Sequence, residues 1–452
     1  MRFKSFTEML SFYENQGGNS VALIYEENGE KKTMSYAELH SAVREKAREL
    51  KSTGKTCLGV FCESSPECII TVFAAAETGL QLVMLDPNTS SEFIIKQIEA
   101  SDTDFLWSSE NELVEEFEPY LTEGVTDGGG ILFFTSGTTS MSKAVVLTQE
   151  SLCASAYNGS EMLPLEQSDI LMCLLPLAHV FGFICSLLWG LSCGAAVALG
   201  RGPRYITEDC RYFRPTAVSL VPMLLAFFLK GQLFNDELKL ILIGAGDCPD
   251  SLIDGARALG KRVCFGYGLT ETSSGVAISV SGDPHAMDIC PDDKITIARD
   301  GEIVIKAPTC IMKGYYKDKK STDEVLRDGF LYTGDLGYRD ENGRLHITGR
   351  KKEMLVLPSG TKIFLPEYEA KLAAALGNRE LAVILIDSKP VLVIHETRRK
   401  KEEVTELLGN AMKNFSRTEQ IKDIIFTDRP LPRTATGKVK RWEIQKTEEE
   451  KI

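Results

Sequence analysis

The sequence predicts an α/β protein: a large N-terminal region of alternating strands and helices, then a small α+β unit over the last hundred residues. Three observations predict it. Short apolar runs bounded by turn residues recur between amphipathic stretches from residue 35 to about 283, the pattern of a mainly parallel sheet covered by helices. After about residue 283 the texture changes to paired runs around Asp-Gly and Asn-Gly, which signal β-hairpins. A charged junction, Gly349-Arg350-Lys351-Lys352-Glu353, then precedes a segment with its own strands and helix. The 452-residue length suits two or three domains, and we place a boundary between 351 and 352, giving regions 1–351 and 352–452.

The elements follow in order. Residues 35–54 read as an amphipathic helix, with Tyr36, Leu39, Val43, Ala47 and Leu50 on one face and Gly54 at its end. CLGVFC (57–62) reads as a strand, Ser65-Pro66 opens a helix through Ala76, and LQLVML (80–85) is the next strand, closed by Asp86-Pro87. SEFIIKQIEA is helical and DFLW a strand. Strands continue at 131–134, 144–147, 216–221, 238–243 and 261–268. Hairpins turn at Arg299-Asp300-Gly301 and Glu341-Asn342-Gly343. In the last segment ELAVILID and PVLVIHE pair, KKEEVTELLGNAMKNF is a helix, IKDIIFTD a strand, and the EEEKI tail is expected to fray.

Composition excludes several classes. Apolar content of 43% and charged content of 25% are globular values, against disorder or a fibrous chain. A net charge of −13 disfavours nucleic-acid binding through a broad basic surface. Divided at Lys352, the acidity belongs to the large region: residues 1–352 hold 33 Lys+Arg against 48 Asp+Glu, and residues 353–452 hold 18 against 16. The twelve cysteines include no C-x-x-C pair, the His count is five, and no signal peptide is visible. Buried reduced thiols in a cytoplasmic protein are expected, without structural zinc. Residues 170–200 contain no Asp, Glu, Lys or Arg, long enough to span a bilayer. Pro176, His179, four glycines and the lack of a basic flanking cluster favour instead a buried strand, a turn at 176–182 and a core helix.

Five motifs carry chemistry. ILFFTSGTTSMSKAVVLT (131–148) runs from a strand through Thr135, Ser136, Gly137, Thr138 and Thr139 to Lys143 and a second strand. Clustered hydroxyls, backbone N–H groups and one ammonium suit phosphate oxygens. It is not a Walker loop, because Ser142 stands where that loop needs Gly. Gly244-Ala245-Gly246 between a strand and a helix is half of a dinucleotide fingerprint. In FGYGLTET, Gly266 and Gly268 let backbone approach a flat ligand, Tyr267 can stack on a base or ribose, and Thr270 and Glu271 offer hard oxygens to Mg²⁺. YTGDLG places Asp335 where a carboxylate could accept from a ribose diol, and Arg350 could clamp the same sugar or a phosphate. LPRTATGKVKR presents Lys438 on a Thr/Gly loop. Each alone reads equally well as a turn or a surface charge.

Together and in this order, TSGTTS…K, GYGLTET, YTGDLG, GRKKE and PRTATGK resemble the acyl-adenylate-forming (AMP-binding) superfamily, most closely its fatty acid and acyl-CoA synthetases. The resemblance spans essentially the whole chain. It implies a multi-layered N-terminal region of helix-covered β-sheets with a small β-barrel-like part, and a mobile C-terminal lid. It implies ATP, Mg²⁺ and coenzyme A as ligands, and a two-step activation of a carboxylic acid. By this resemblance the 135–143 loop holds the β- and γ-phosphates, and Thr138 and Glu271 place Mg²⁺. Lys438 bridges the carboxylate, α-phosphate and ribose. Asp335 and Arg350 hold the ribose, Gly244, Ala245, Gly246 and Tyr267 flank the adenine, with Gly268 and Thr270 beside them, and Lys352 is the hinge. His179 matches a position beside the acyl and thiol tunnel; a satisfied core histidine is its plain alternative.

The loop departs from the family's usual T-S-G-T-T-G-x-P-K-G at Ser140, Ser142 and Ala144, Gln149 replaces a common His, and LPSGTKIFLPEYE follows the hinge. PLAHVFGFICSLL carries no carboxylate to receive a substrate amine, which favours a plain acid, with a medium- or long-chain fatty acid expected. Three alternatives stay open: transfer to a phosphopantetheinyl carrier protein instead of coenzyme A, a dinucleotide oxidoreductase resting on GAGDCP alone, and a degenerate nucleotide-binding homologue.

Overall fold

The computed structural model describes the chain except residues 18, 125–128, 136–142, 247, 358–361, 388, 396–398, 414, 416–418, 434–438 and 450–452. Two large sheets dominate it. In the first, the strands run Gly314–Tyr315, Ala144–Leu147, Ile131–Phe134, Gln81–Leu85, Cys57–Phe61, Phe105–Trp107 across the sheet. The second has nine strands, from Asp288–Ile289 at one edge, through Ser274–Ile278, Arg262–Leu269, Leu240–Ile243, Ala217–Leu220, Ile170–Cys173, Ala196–Leu199 and Val21–Glu27, to Glu30–Ser35. In the second sheet the pairings from Arg262–Leu269 to Val21–Glu27 are parallel and antiparallel strands close both edges. In the first the pairings from Ile131–Phe134 to Phe105–Trp107 are parallel and antiparallel strands close one edge.

Strand alternation sorts side chains into layers. Leu58, Val60, Leu82 and Met84 point from the first sheet into one core, where they meet Leu171, Val197 and Leu242 of the second. Helix Pro66–Thr78 fills the space between: Phe73 stacks on Phe6 at 4.5 Å, and Phe6 in turn meets Phe183 at 5.9 Å. The opposite faces, Val83 and Leu85 on one sheet and Val218 and Ile241 on the other, lie under outer helices such as Ser91–Ala100 and Pro222–Gly231. The result is helix, sheet, helix, sheet, helix. Gln149 belongs to this scaffold. It accepts from Phe6 N–H at 3.2 Å and donates to the Ala76 carbonyl at 2.7 Å, tying two helices together.

The hairpins after residue 283 form a five-stranded antiparallel sheet, Lys294–Ile297, Glu302–Lys306, Phe330–Arg339 and Leu326–Arg327, with Leu345–Arg350 on the 330–339 strand. Beyond it come a two-stranded ribbon (Met354–Val356, Lys362–Phe364) and a three-stranded sheet (Leu381–Ile386, Lys389–Ile394, Asp423–Phe426). The two apolar clusters they support draw only on residues 355 and later.

Most expected elements stand at their expected places. The block 170–200 holds one more than expected: strand Ile170–Cys173, helical turns from Val180 to Ser192 with a π segment at Ile184–Leu188, and a further strand, Ala196–Leu199. No helix among the described residues is long and apolar enough to cross a membrane. Helix Leu365–Leu376 was not anticipated, and helix Arg441–Glu449 reaches into the tail expected to fray. All twelve cysteines are free. Burial pushes the Cys57 and Cys173 thiols up to about 12, which keeps them protonated and inert.

Candidate active site

The expected phosphate loop joins two antiparallel strands, Ile131–Phe134 and Ala144–Leu147. Its described ends close on each other: Thr135 N–H donates to the Lys143 carbonyl at 3.0 Å, and Lys143 N–H to Thr135 Oγ1 at 3.3 Å. Ser136, Gly137, Thr138 and Thr139 lie outside the described residues, as does Lys438. The Lys143 ammonium sits 4.5 Å from the centre of the Tyr315 ring.

Strand Arg262–Leu269 ends in a tight turn at Thr270–Thr272. Gly268 is obligatory there, since a Cβ would lie 1.6 Å from the Ser274 carbonyl oxygen. Leu269 N–H donates to Thr272 Oγ1 at 2.9 Å, and Ser273 N–H to the Thr270 carbonyl at 3.1 Å. Glu271 is held at both ends. Its carbonyl accepts from Met312 N–H at 2.8 Å and its Oε1 from the Tyr315 hydroxyl at 2.6 Å. Burial, and then the Glu271 charge, push the Tyr315 phenol up, so it stays a donor.

A second carboxylate sits on the hairpin that follows. Asp335 faces Arg350 directly across the antiparallel pair, and Arg350 Nε lies 2.9 Å from its Oδ1. Its Oδ2 accepts from the Tyr267 hydroxyl at 2.8 Å. Tyr267 therefore plays a different part from the open stacking ring expected: it is 8% exposed and its hydroxyl is committed. Burial, and then the Asp335 charge, raise its phenol well above the ordinary value. What it gives the site is a fixed carboxylate.

Gly244 is buried at the end of its strand, where a Cβ would meet the Phe181 ring at 2.7 Å. Ala245, left-handed at φ +62°, and Gly246 are exposed. They present bare backbone at the carboxyl end of parallel strands, where open α/β sheets bind ligands. His179 heads the helical turn Val180–Phe183, whose Phe181 ring lies against Gly244. Its side chain is 51% exposed, with Nε2 3.5 Å from Asp86 Oδ2, so it is no buried core histidine. Burial pushes the Asp86 carboxyl up, but hydrogen bonds from His179 and Asn88 outweigh it and hold the group below its usual range. At the junction, Lys351 is pinned by Asp300 and Glu302 at 2.7 and 2.6 Å, whereas Lys352 is exposed and makes no ion pair among the described residues.

The AMP-binding enzyme family matches residues 12–128 and 130–316, two thirds of the chain. The chain belongs to that family. A 2-succinylbenzoate–CoA ligase from Bacillus cytotoxicus is 27% identical over 434 residues, covering 87% of this chain and 89% of the relative. An indoleacetate–CoA ligase from Aromatoleum aromaticum is 28% identical over 477 residues, covering 91% and 92%. The solved O-succinylbenzoate coenzyme A synthetase from Bacillus subtilis, in complex with ATP and magnesium ion, has a TM-score of 0.78 at 25% identity, covering 97% of this chain and 99% of that one. The expected class, AMP-forming acid–thiol ligase, is the class of these relatives. The fatty-acid expectation finds no support, because the acids in the curated relatives' names are aromatic.

The residues present suit magnesium in the manner of this family. No group of three or more His, Cys, Asp or Glu among the described residues could hold a metal alone. Mg²⁺ commonly takes one or two protein carboxylates and completes its shell with phosphates and water. Glu271 fits that part: it is partly exposed, and its Oε2 has no hydrogen bond among the described residues. Sequence reasoning missed Tyr315 and Asp86. Tyr315 stands in GYYK with no motif of its own, and Asp86 reads as a strand-closing turn. Only the fold brings them to Glu271 and His179.

Proposed function

We propose that this chain activates an aromatic carboxylic acid with Mg·ATP and transfers the acyl group to coenzyme A. The observation that carries it is the pairing of two carboxylate sites in one AMP-binding fold: Glu271 with Tyr315 beside Lys143, and Asp335 with Arg350. In the first step a substrate carboxylate oxygen attacks the α-phosphorus, the bond to the bridging oxygen breaks, and pyrophosphate leaves. In the second, the coenzyme A sulfur gives its proton to solvent and attacks the acyl carbon, and AMP leaves with the electron pair of the broken C–O bond. Bound Mg²⁺ neutralises developing phosphate charge. Lys143 and the loop at 136–139 hold the β- and γ-phosphates, Glu271 and Thr138 orient the metal, and Lys438 reaches the α-phosphate. Asp335 and Arg350 take the ribose, and the backbone at 244–246 takes the adenine. His179, braced by Asp86, lines the way to the acyl carbon.

The names of the relatives support an aromatic acid and coenzyme A as acceptor. A panel of aromatic, arylalkanoic and fatty acids, run with Mg·ATP and coenzyme A and read as AMP release, tests the proposal. Aromatic acids are expected to release AMP fastest. Preference for fatty acids would overturn the substrate class, and silence across the panel would overturn the activity.

We further propose that residues 352–452 act as a lid turning about Lys352. Their self-contained apolar clusters support it, as does the place of Lys438 on the late loop. A cation needed at the α-phosphate is of no use to thiol attack, so the lid would turn between steps. Lys438→Ala is expected to abolish pyrophosphate exchange and spare thioester formation from supplied acyl-adenylate; equal loss of both would contradict the turning lid.

A further inference from the structure

Glu271 and Lys143 are read above as the metal-placing carboxylate and the phosphate-holding cation, and on that reading rests a role for a third residue. Lys143 and Glu271 both contact Tyr315, and a direct ion pair between them would have to break before Mg·ATP could bind either one. Among the described residues Lys143 makes no ion pair. The Tyr315 ring stands beside its ammonium at 4.5 Å, and the hydroxyl of the same ring binds Glu271 Oε1 at 2.6 Å. We propose that Tyr315 is the positioning residue of the metal and phosphate site: its hydroxyl aims the Glu271 carboxylate at the metal, and its ring faces Lys143 and keeps the two charges apart.

The backbone supports this placement from both sides. Gly314–Tyr315 pairs with Ala144–Leu147, Tyr315 opposite Val145, so the ring is fixed to the hairpin that carries Lys143. Lys313 N–H donates to the Val146 carbonyl at 2.9 Å and Tyr316 N–H to the Ala144 carbonyl at 2.8 Å, anchoring the residues on either side. Three residues earlier, Met312 N–H holds the Glu271 carbonyl. The segment 312–316 thus spans the two parts of the site, and Tyr315 N–H is itself fixed by Thr322 Oγ1 at 2.9 Å. The ring is 9% exposed, so it has little freedom to leave. A hydroxyl takes one carboxylate oxygen and leaves Oε2 for the metal, whereas a lysine paired in its place would neutralise the charge that Mg²⁺ needs.

Two variants separate the two contacts, and a third guards the underlying reading. Tyr315→Phe keeps the ring and removes the hydroxyl. It is expected to raise the Mg²⁺ concentration for half-maximal pyrophosphate exchange about tenfold, the scale of a hydrogen bond to a charged group, with KM for ATP changed less than about threefold and unchanged melting. Tyr315→Leu removes both contacts and is expected to raise KM for ATP as well. Glu271→Gln is titrated with Mg²⁺ alongside. If it shifts the Mg²⁺ dependence and Tyr315→Phe does not, the role of Tyr315 is overturned. If Glu271→Gln itself leaves that dependence unmoved, the assignment of Glu271 fails first. A Tyr315→Phe protein that melts earlier but keeps wild-type Mg²⁺ and ATP dependence assigns Tyr315 to the scaffold and also overturns the proposal.

Discussion

Asp335 and Glu271 are built from the same parts and set for opposite tasks. Each accepts a hydrogen bond from a tyrosine hydroxyl, at 2.8 and 2.6 Å, and each lies near one cation. Asp335 is 3% exposed, and Arg350 engages its second oxygen directly from the opposite strand. Glu271 stands in a short turn, partly exposed, with its cation on the tyrosine ring instead of the carboxylate. The first arrangement fixes a carboxylate charge, which on the proposed reading meets a neutral ribose diol. The second, on the same reading, holds a charge in reserve for a metal that arrives with its own phosphate ligands.

The largest effect is expected where that reserve is removed. Glu271→Gln keeps the shape and hydrogen-bonding of the side chain and loses the charge, so acid-dependent pyrophosphate exchange should fall about 10²–10³-fold, the scale seen when one transition-state contact is removed. Melting should hardly move, since the group is partly exposed and in no ion pair. The reverse pattern, kept activity and lost stability, would make Glu271 structural and erase the contrast.

Asp335→Ala should divide its effect differently. It strands the buried Tyr267 hydroxyl and leaves Arg350 without its partner, which should cost roughly 2–4 kcal/mol of stability. Removing a ground-state ribose contact should raise KM for ATP about tenfold with little change in kcat. Chemical denaturation and steady-state kinetics on one preparation read both. A kcat loss matching that of Glu271→Gln would mean that the two carboxylates do the same work. Tyr267→Phe is the milder cut: Arg350 stays paired, and about 1 kcal/mol of stability should go.

These pairs mark how far the sequence could be read. Glu271, Asp335 and Arg350 stand in motifs, and the strands that carry them were legible because short apolar runs between turn residues have few other uses. The register that sets Asp335 opposite Arg350 does not follow from the Asn-Gly turn alone, which would pair it with Gly349; a one-residue shift between Leu336 and Gly337, with no signal in the sequence, brings Arg350 there. Tyr267 was found and its task was not: nothing local in FGYG tells a buried donor from an open ring, because burial depends on Asp335, 68 residues away. Tyr315 was missed for the same reason at 44 residues' separation from Glu271. Strand Ala196–Leu199 was hidden in a continuous apolar block, where strand and helix give the same signal. The phosphate loop is the converse: its residues were readable, and its geometry at 136–142 lies outside the described residues.

A third carboxylate shows what Asp335 would suffer without its cation. Asp293 is nearly as buried, at 7% exposure, but the one hydrogen-bonding partner of its carboxylate among the described residues is the Asn158 amide, at 3.3 Å. Arg2, whose charge acts on it, is paired with Asp292 instead. Burial, then repulsion from Asp292, push the Asp293 carboxyl up to about 7. Asp293 Oδ1 and Asn158 Oδ1 are both buried acceptors without a donor, and a proton on Asp293 supplies one. The sign follows from the raised value. Between about pH 4 and 7 the folded chain holds a proton that the unfolded chain has released, so stability falls through that window and levels off above it, by a few kcal/mol in all. Asp293→Asn is neutral at every pH and brings its own donor. Its stability should be flat from pH 4 to 8, above wild type at pH 8, with ATP and acid kinetics unchanged. Urea denaturation across that range checks it. If the wild-type slope persists in Asp293→Asn, another group carries it, and the cation beside Asp335 then has no stability penalty to be measured against.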